Sequence, residues 1–572
     1  VNEHRFVARH LLQPRLTLSY LDSVVDGPLA TFAEPTPGQA NGVGHAGMPG
    51  QPKLEPSCGL FEDSITVAIQ GGDEASVIRY TLDGSDPTGD SPECPSSLDL
   101  TESCELRVRK FVGGIGSRVT ASQYAKADPG LRSFSSDLPL LVAVTNGRNI
   151  PVKEYTSAQL HVYAEGEAGR ATLSSGSALS CRSAIKLRGS STLHLAKKCY
   201  GLELRDRRGA DRSRPILGMP AGSDWVLHGP HHWDQAHIRN ALCYELARRI
   251  GLDTPRCKFV ELFVCDDGAD VSQRHYRGLY LLVERIAIDK DRLAIDKLKA
   301  SDSEEPDISG GYVFKVDRPG RWELGFEAGD EELKYVDPPE HEVTDVQRQW
   351  LSDYLNRMSE GFGEAARQGP QSHYSAYLDT ERAIDYHLFQ ELANNPDAFT
   401  LSTYFYKPRG GKVRAGPVWD FDRALRTNDK EYWLGREGDP IGWTSDSEHG
   451  WWGELFDDPD FERRYRVRGR ELLSTVWTVA EVHALIDELA AEIQEAEQRD
   501  RARWPIMKPN EWEDEIARLK GYVAKRIGWF RAELLESPDL RREGDGSSNR
   551  LHIKSGHPEG TVCYPANGRD PL

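Results

Sequence analysis

The chain has 572 residues, a formal charge of −19 and a pI near 5.4; that length exceeds a single core and suits about three or four domains. Its acidity excludes a nucleic-acid-binding surface, which needs clustered Lys and Arg, and because the charge is spread along the chain it reads as a solubility feature. With a mean hydropathy of −0.58 and apolar runs of strand length, as at 138–144, nothing nears the ~20 residues of a spanning helix. No basic leader with an apolar core follows Val1, so a signal peptide is absent or lies outside this sequence. Nine cysteines without a CxxC pair argue against a zinc knuckle. Their odd number forbids complete internal pairing, and Cys94 with Cys104 and Cys181 with Cys199 are the pairs expected to bridge in an oxidising compartment.

Residues 1–50 form an N-terminal segment ending in a Pro/Gly-rich linker at 36–42. From 51 to 130 the pattern alternates as strands do. Ile65, Val67 and Ile69 share a face, and 77–82 leads into the turn residues Asp83, Gly84, Asp86 and Pro87. This predicts a small immunoglobulin-like β-sandwich, and the stretch IRYTLDGSDPT (78–88) resembles the C-terminal module of chitobiases. Tyr80, Gly84, Asp86 and Pro87 have counterparts at Tyr564, Gly568, Asp570 and Pro571, so residues 539–572 read as a linker and a cut-off second copy.

Residues 136–330 are strand-rich. Strands are expected at 138–144, 185–192, 197–204, 259–264, 277–284 and 310–316, with one helix at 234–250 whose face carries Ile238, Leu242, Leu246 and Ile250. Residues 331–538 are helix-rich, with 3.6-residue periodicity at 343–365, 380–393, 460–475, 479–500 and 511–536. Within them a helix end and a polar loop with Asp397 precede a hairpin of arms 403–407 and 412–418 around 408–411, and Asp420 and Asp422 follow. A hairpin brings its ends together, so Asp397 and Asp420 should lie side by side, an arrangement suited to a divalent cation and to acid/base chemistry.

The order of these elements, with the motifs KLRGSS (186–191), KKCY (197–200), LGMP (217–220), SDWVL (223–227), IRNA (238–241), RGLYLLVE (277–284), GGY (310–312), NPD (395–397), STYFY (402–406) and GPVWDFD (416–422), resembles the CotH (spore coat protein H) family of atypical kinases over residues 136–535. The resemblance implies an α+β, two-lobed protein-kinase-like fold with a β-rich N-lobe and an α-rich C-lobe. It implies transfer of the ATP γ-phosphate, with Mg2+ or Mn2+, to Ser or Thr of secreted or surface proteins. In that reading Asp420 holds the metal, joined by Asp422 and Ser402, and Asp397 orients the acceptor hydroxyl. Lys197 or Lys198 holds the α/β-phosphates; the family pattern favours Lys197, while strand alternation puts Lys198 on the face of Leu202 and Leu204. Arg188, Ser190 and Ser191 cover the phosphates, and Glu284 stands near the adenine. Two positions depart from an ordinary kinase. Ser402 occupies the offset of the second metal-binding Asn, and no clear Glu on the 234–250 helix pairs with the lysine, leaving Glu245 or Asp234.

His228, His231, His232 and His237 cluster, but no cysteine or carboxylate completes a tetrahedral set. Trp451 and Trp452 read as C-lobe core, with a peptide platform as the other use. Two further functions stand beside the kinase. One is a pseudokinase, or a kinase-fold enzyme transferring AMP or an amino acid. The other is a surface protein whose β-sandwich binds a glycan or cell wall.

Overall fold

A computed structural model describes residues 49–535 except 167, 175, 207–208, 319–324, 330, 364–372, 426–438, 445–446 and 506–510. Beyond that range it describes the strand pairs Ala30–Thr31 with His45–Ala46 and Asp539–Glu543 with Arg550–Lys554. The expected second module at 561–572 lies outside the described residues. Contacts divide the chain into two compact units. One comprises Val1–Arg188, Tyr200–Ile216 and Glu261–Arg277; the other comprises Gly189–Cys199, Leu217–Val260 and Gly278–Leu572.

In the first unit the Ile65/Val67/Ile69 alternation builds the strand Ile65–Gln70, paired antiparallel with Lys53–Glu55 and Ser97–Leu100. A second sheet runs in the order Gly59–Phe61, Thr120–Lys126, Cys104–Val112, Ser76–Thr81. Leu54, Val67, Leu106, Val108 and Tyr124 fill the core of this β-sandwich. At its Asp-Gly turn the Asp83 carboxylate accepts the Ser85 N–H at 3.0 Å while Gly84 takes φ 78°, a backbone state that favours glycine. A meander of Leu140–Val144, Thr156–Tyr163 and Leu179–Arg188 follows. Residues 261–265 run parallel beside Leu140–Val144, whose every residue is buried, as expected of a strand covered on both faces.

None of the eight described cysteines is disulfide-bonded, so neither the Cys94–Cys104 nor the Cys181–Cys199 bridge is present. Burial pushes the Cys94, Cys104 and Cys181 thiols up to about 11, which favours the protonated thiol at neutral pH.

The second unit holds seven helices among its described residues: α1 (Arg239–Arg249), α2 (Asp345–Glu360), α3 (Thr380–Ala393), α4 (Trp451–Phe456), α5 (Pro459–Ser474), α6 (Val479–Arg503) and α7 (Glu511–Glu533). Side-chain caps set most of the starts. Thr344 and Gln347 form a capping box on α2, Asp379 caps α3, Asp458 caps α5 with Pro459 at its first position, and Thr478 caps α6. Helix α1 begins five residues later than the apolar period suggests. The Asp234 carboxylate folds forward to accept the Arg239 N–H at 2.9 Å, and His237 between them takes φ 64°.

A five-stranded sheet runs Phe326–Ala328, Glu331–Asp337, Tyr312–Val316, Thr403–Lys407, Arg414–Ala415. The first hairpin arm matches its expected span. The second has Arg414 and Ala415 in register, and the Gly416 N–H donates to the Tyr404 carbonyl at 2.8 Å; Val413 bonds to Tyr377 and Asp379 instead, and Pro417 has no N–H for the ladder. Strand Tyr312–Val316, expected in the strand-rich stretch, pairs with Thr403–Lys407 with Phe314 opposite Phe405. Trp451 and Trp452 are core residues: Trp452 stacks on Tyr386 at 5.5 Å and Trp451 donates to Ser359 Oγ at 2.8 Å, which overturns the peptide-platform use. No helix among the described residues is long and apolar enough to cross a membrane.

Buried His387 of α3 faces Tyr465 and the Ser447 carbonyl at 3.0 Å each, and desolvation lowers it to about 4. The unfolded chain, with an ordinary imidazole, therefore binds more protons between pH 6.5 and 4. Stability should hold above pH 6.5 and fall as the pH drops toward 4. His161 and His231, lowered to about 4 by burial, act in the same direction. Urea midpoints measured from pH 7 to 5 check this; a flat profile contradicts it, and His387→Asn should reduce the slope.

Candidate active site

Helix α3 ends where the site begins. Glu391 in its last turn is fully buried against Arg526 of α7, 3.1 Å away, and accepts the Thr444 N–H at 2.9 Å. Asn394 then closes the helix at φ 42°. The next residue, Asn395, joins two loops: its Oδ1 accepts the Asp397 N–H at 3.2 Å and its Nδ2 donates to the Asp420 carbonyl at 3.3 Å.

Asp420 sits at φ 67°, Ser402 at 51° and Phe399 at 70°. Non-glycine residues reach that region at a cost that surrounding contacts must cover. At Asp420 the cover comes from α1, where Asn240 Oδ1 accepts the Phe421 N–H at 2.9 Å. Its neighbour Arg239, 1% exposed, ion-pairs Asp234 at 2.9 Å and Glu515 of α7 at 2.8 Å and faces the Leu425 carbonyl at 3.4 Å. Both residues lie in the IRNA motif, whose sequence signals a match but not these tasks.

Asp397, Asp420 and Asp422 lie near enough for the charges of the first two to act on the third. Burial pushes the Asp422 carboxyl well above its ordinary value, and the charges of Asp420 and Asp397 push it further. Asp397 Oδ1 is held by Arg423 at 2.6 Å. Oxygen donors crowded by like charge, in a pocket that disfavours their ionisation, suit a hard divalent cation, whose charge would relieve the repulsion. The donor chemistry suits such a cation, although the three carboxylates do not each place an oxygen within 4.8 Å of the other two. Without divalent cation Asp422→Asn should be as stable as the parent or more so, while Mn2+ binding weakens; thermal melts with and without Mn2+ check both. Ser402 heads the strand Thr403–Lys407, and among the described residues no hydrogen bond joins its hydroxyl to the three carboxylates.

The lysines are placed otherwise than expected. Both precede their strand, which starts at Cys199. Lys197 is fully buried, donating to Asp500 Oδ1 at 2.6 Å and to the Pro230 carbonyl at 2.9 Å, with the Tyr280 ring 5.2 Å away. Asp500, on α6, also accepts the Leu279 N–H at 2.8 Å. It lies so close to Gly278 (φ 98°) that a Cβ there would collide with its carboxylate. The expected partners are engaged elsewhere, Glu245 with Arg248 at 2.6 Å and Asp234 with Arg239. Lys198 donates to the Leu193 carbonyl at 2.7 Å.

Arg188 ends the strand Leu179–Arg188 of the first unit, while Ser190 and Ser191 open a short 3-10 turn, Ser191–His194, in the second. Gly189 between them is at φ 114°, where a Cβ would strike Thr192. Glu284 is 3% exposed, and Arg256 occupies its carboxylate, with its N–H at 2.9 Å and Nε at 3.1 Å from both oxygens. That ion pair takes up the carboxylate expected beside the adenine.

The four histidines assemble no metal site with cysteine or carboxylate ligands among the described residues; the group that does gather is Cys265, Asp267 and His275. There the Ser272 N–H donates to His275 Nδ1 at 3.0 Å, so Nε2 carries the proton and gives it to Asp267, also at 3.0 Å. A metal at Nε2 needs the opposite tautomer, and the group is a hydrogen-bonded loop clasp.

Comparison with known families bears on this geometry. A family model described as CotH kinase protein matches residues 185–530, more than half of the chain, and one described as Fn3 associated matches residues 67–124. No curated protein matches the chain.

Proposed function

The chain belongs to the CotH kinase protein family and carries its kinase-like domain behind a β-sandwich module, and from that premise we propose that it transfers the γ-phosphoryl group of ATP to Ser or Thr hydroxyls of secreted or cell-surface proteins, in a two-lobed kinase arrangement. The observation that supports this most is the junction of Asp397, Asp420 and Asp422 beneath α1, with Asp420 at a strained backbone angle secured by Asn240. Asp420 and Asp422 would hold the divalent cation, which when bound neutralises phosphate charge. Arg423 fixes Asp397 Oδ1, so the carboxylate is oriented before the acceptor arrives. As the acceptor oxygen bonds to the γ-phosphorus, the bond to the β,γ-bridging oxygen breaks, ADP departs, and the hydroxyl proton passes to Asp397. Lys197 or Lys198 would hold the α/β-phosphates, with Ser190, Ser191 and Arg188 covering them.

A second reading draws on Lys197 and Ser402. A lysine sealed against Asp500, and a serine at the second metal position, favour a kinase-fold enzyme that moves AMP or an amino acid, or a pseudokinase. Intact mass spectrometry of the acceptor after incubation with ATP and Mg2+ separates them. Phosphate adducts support the kinase; AMP or amino-acid adducts, or none, replace it.

A further inference from the structure

Around Glu284 lies a cavity of about 310 Å3 whose wall carries four guanidiniums, Arg248, Arg256, Arg285 and Arg292, against two carboxylates, Asp253 and Glu284. In a chain with a formal charge of −19 this local excess of cations is unusual. The carboxylates are also committed. Glu284 serves Arg256 as described, and Asp253 accepts from the Tyr406 hydroxyl at 2.7 Å with Arg382 3.5 Å away.

Arg292 is left short of an acceptor. Its side chain is 7% exposed and its Nε stands 4.0 Å from Glu284, beyond hydrogen-bond range. The Nη1 donates to the Arg285 carbonyl at 3.0 Å, while Nε and Nη2 find no partner. This guanidinium lies over the Trp225 ring at 5.1 Å, and its burial outweighs the attraction of Glu284, Asp224 and Asp289, so its field is felt in the cavity it helps to line. At the rim, Arg285 is 54% exposed on Asp224 at 3.0 Å and Arg248 is 41% exposed on Glu245. Arg248 also gives Nη2 to the Pro255 carbonyl at 3.0 Å, and both guanidiniums have the planar fork that grips oxoanions. Leu252, Leu293 and Pro417 supply apolar wall, and the volume admits more than a bare anion.

We propose that this cavity is a binding site for a small phosphorylated ligand, separate from the aspartate cluster, with the phosphoryl oxygens on the rim guanidiniums and the carbon body against the apolar wall. It is also placed to influence the site. The Val418 N–H donates to the Asp253 carbonyl at 3.0 Å, two residues before Asp420, so an occupant would bear on the segment carrying the metal-binding aspartate. That link to transfer, unlike the binding, rests on the proposed kinase activity.

Calorimetric titration of the full chain with pyrophosphate, in EDTA so that no metal bridges it to the aspartates, tests the binding. Saturable binding that weakens with added salt is expected. The Arg248→Gln/Arg285→Gln double variant should bind at least about tenfold more weakly with an unchanged melting temperature, and Asp420→Asn should bind as the parent does. Absence of saturable binding, an unaffected double variant, or loss of binding in Asp420→Asn would each overturn the proposal. So would binding of a phosphoserine peptide without binding of pyrophosphate.

Discussion

Asp420→Asn is expected to lower phosphoryl transfer by about 10^2–10^3-fold or more, the scale on which removal of one preorganised charge-stabilising group is felt, while the melting temperature changes little. Its left-handed backbone suits Asn as well as Asp, and the clasp from Asn240 is made to the Phe421 N–H, which the substitution leaves in place. Removing one negative charge beside Asp422 also relieves repulsion on that buried carboxyl. A radiolabel assay with [γ-32P]ATP, run beside a thermal melt, checks both halves; transfer at the parental rate would exclude Asp420 from metal binding.

Asp500→Ala carries the largest expected cost in stability. It strands the Lys197 ammonium, whose side chain has no exposure, and leaves the Leu279 N–H without its acceptor. Breaking one side of such a buried pair costs about 3–5 kcal/mol. The Lys197→Met/Asp500→Asn variant, which removes both charges, keeps the volume and leaves an amide oxygen for the Leu279 N–H, should recover most of that in a denaturant titration. If it does not, the pair is not what holds α6 against this loop. The same variant decides between the lysines. A folded but inactive double variant assigns the phosphates to Lys197; an active one assigns them to Lys198, and Lys198→Met must then abolish transfer.

What could be read from the sequence follows how local each signal is. The strand Thr403–Lys407 and helix α3 run over their expected residues because alternation, apolar period and the Asp379 cap all lie within the segment. The second hairpin arm is shorter than its composition suggests, since Val413 exchanges its backbone bonds with Tyr377 and Asp379 at one end and Pro417 has no N–H for the ladder at the other. Helix α1 starts late because Asp234 reaches forward to Arg239, a contact that periodicity cannot register. The approach of the loops carrying Asp397 and Asp420, which Asn395 joins, was legible because a hairpin brings its ends together. The Lys197–Asp500 pair was not: its members lie 303 residues apart, and Asp500 sits in an ordinary charged stretch of a 25-residue helix. Arg256 as the partner of Glu284, and Arg423 as that of Asp397, are likewise fixed by packing and not by any motif.

The most direct measurement is a crystal structure of the full chain with Mn2+ and a non-hydrolysable ATP analogue, read by the anomalous signal of the metal. The expected result is Mn2+ coordinated by Asp420, with the phosphates on Lys197 or Lys198 and the terminal phosphoryl group facing Asp397. Manganese bound away from Asp420, or a nucleotide that does not present its phosphates to that aspartate, would contradict the proposed kinase site.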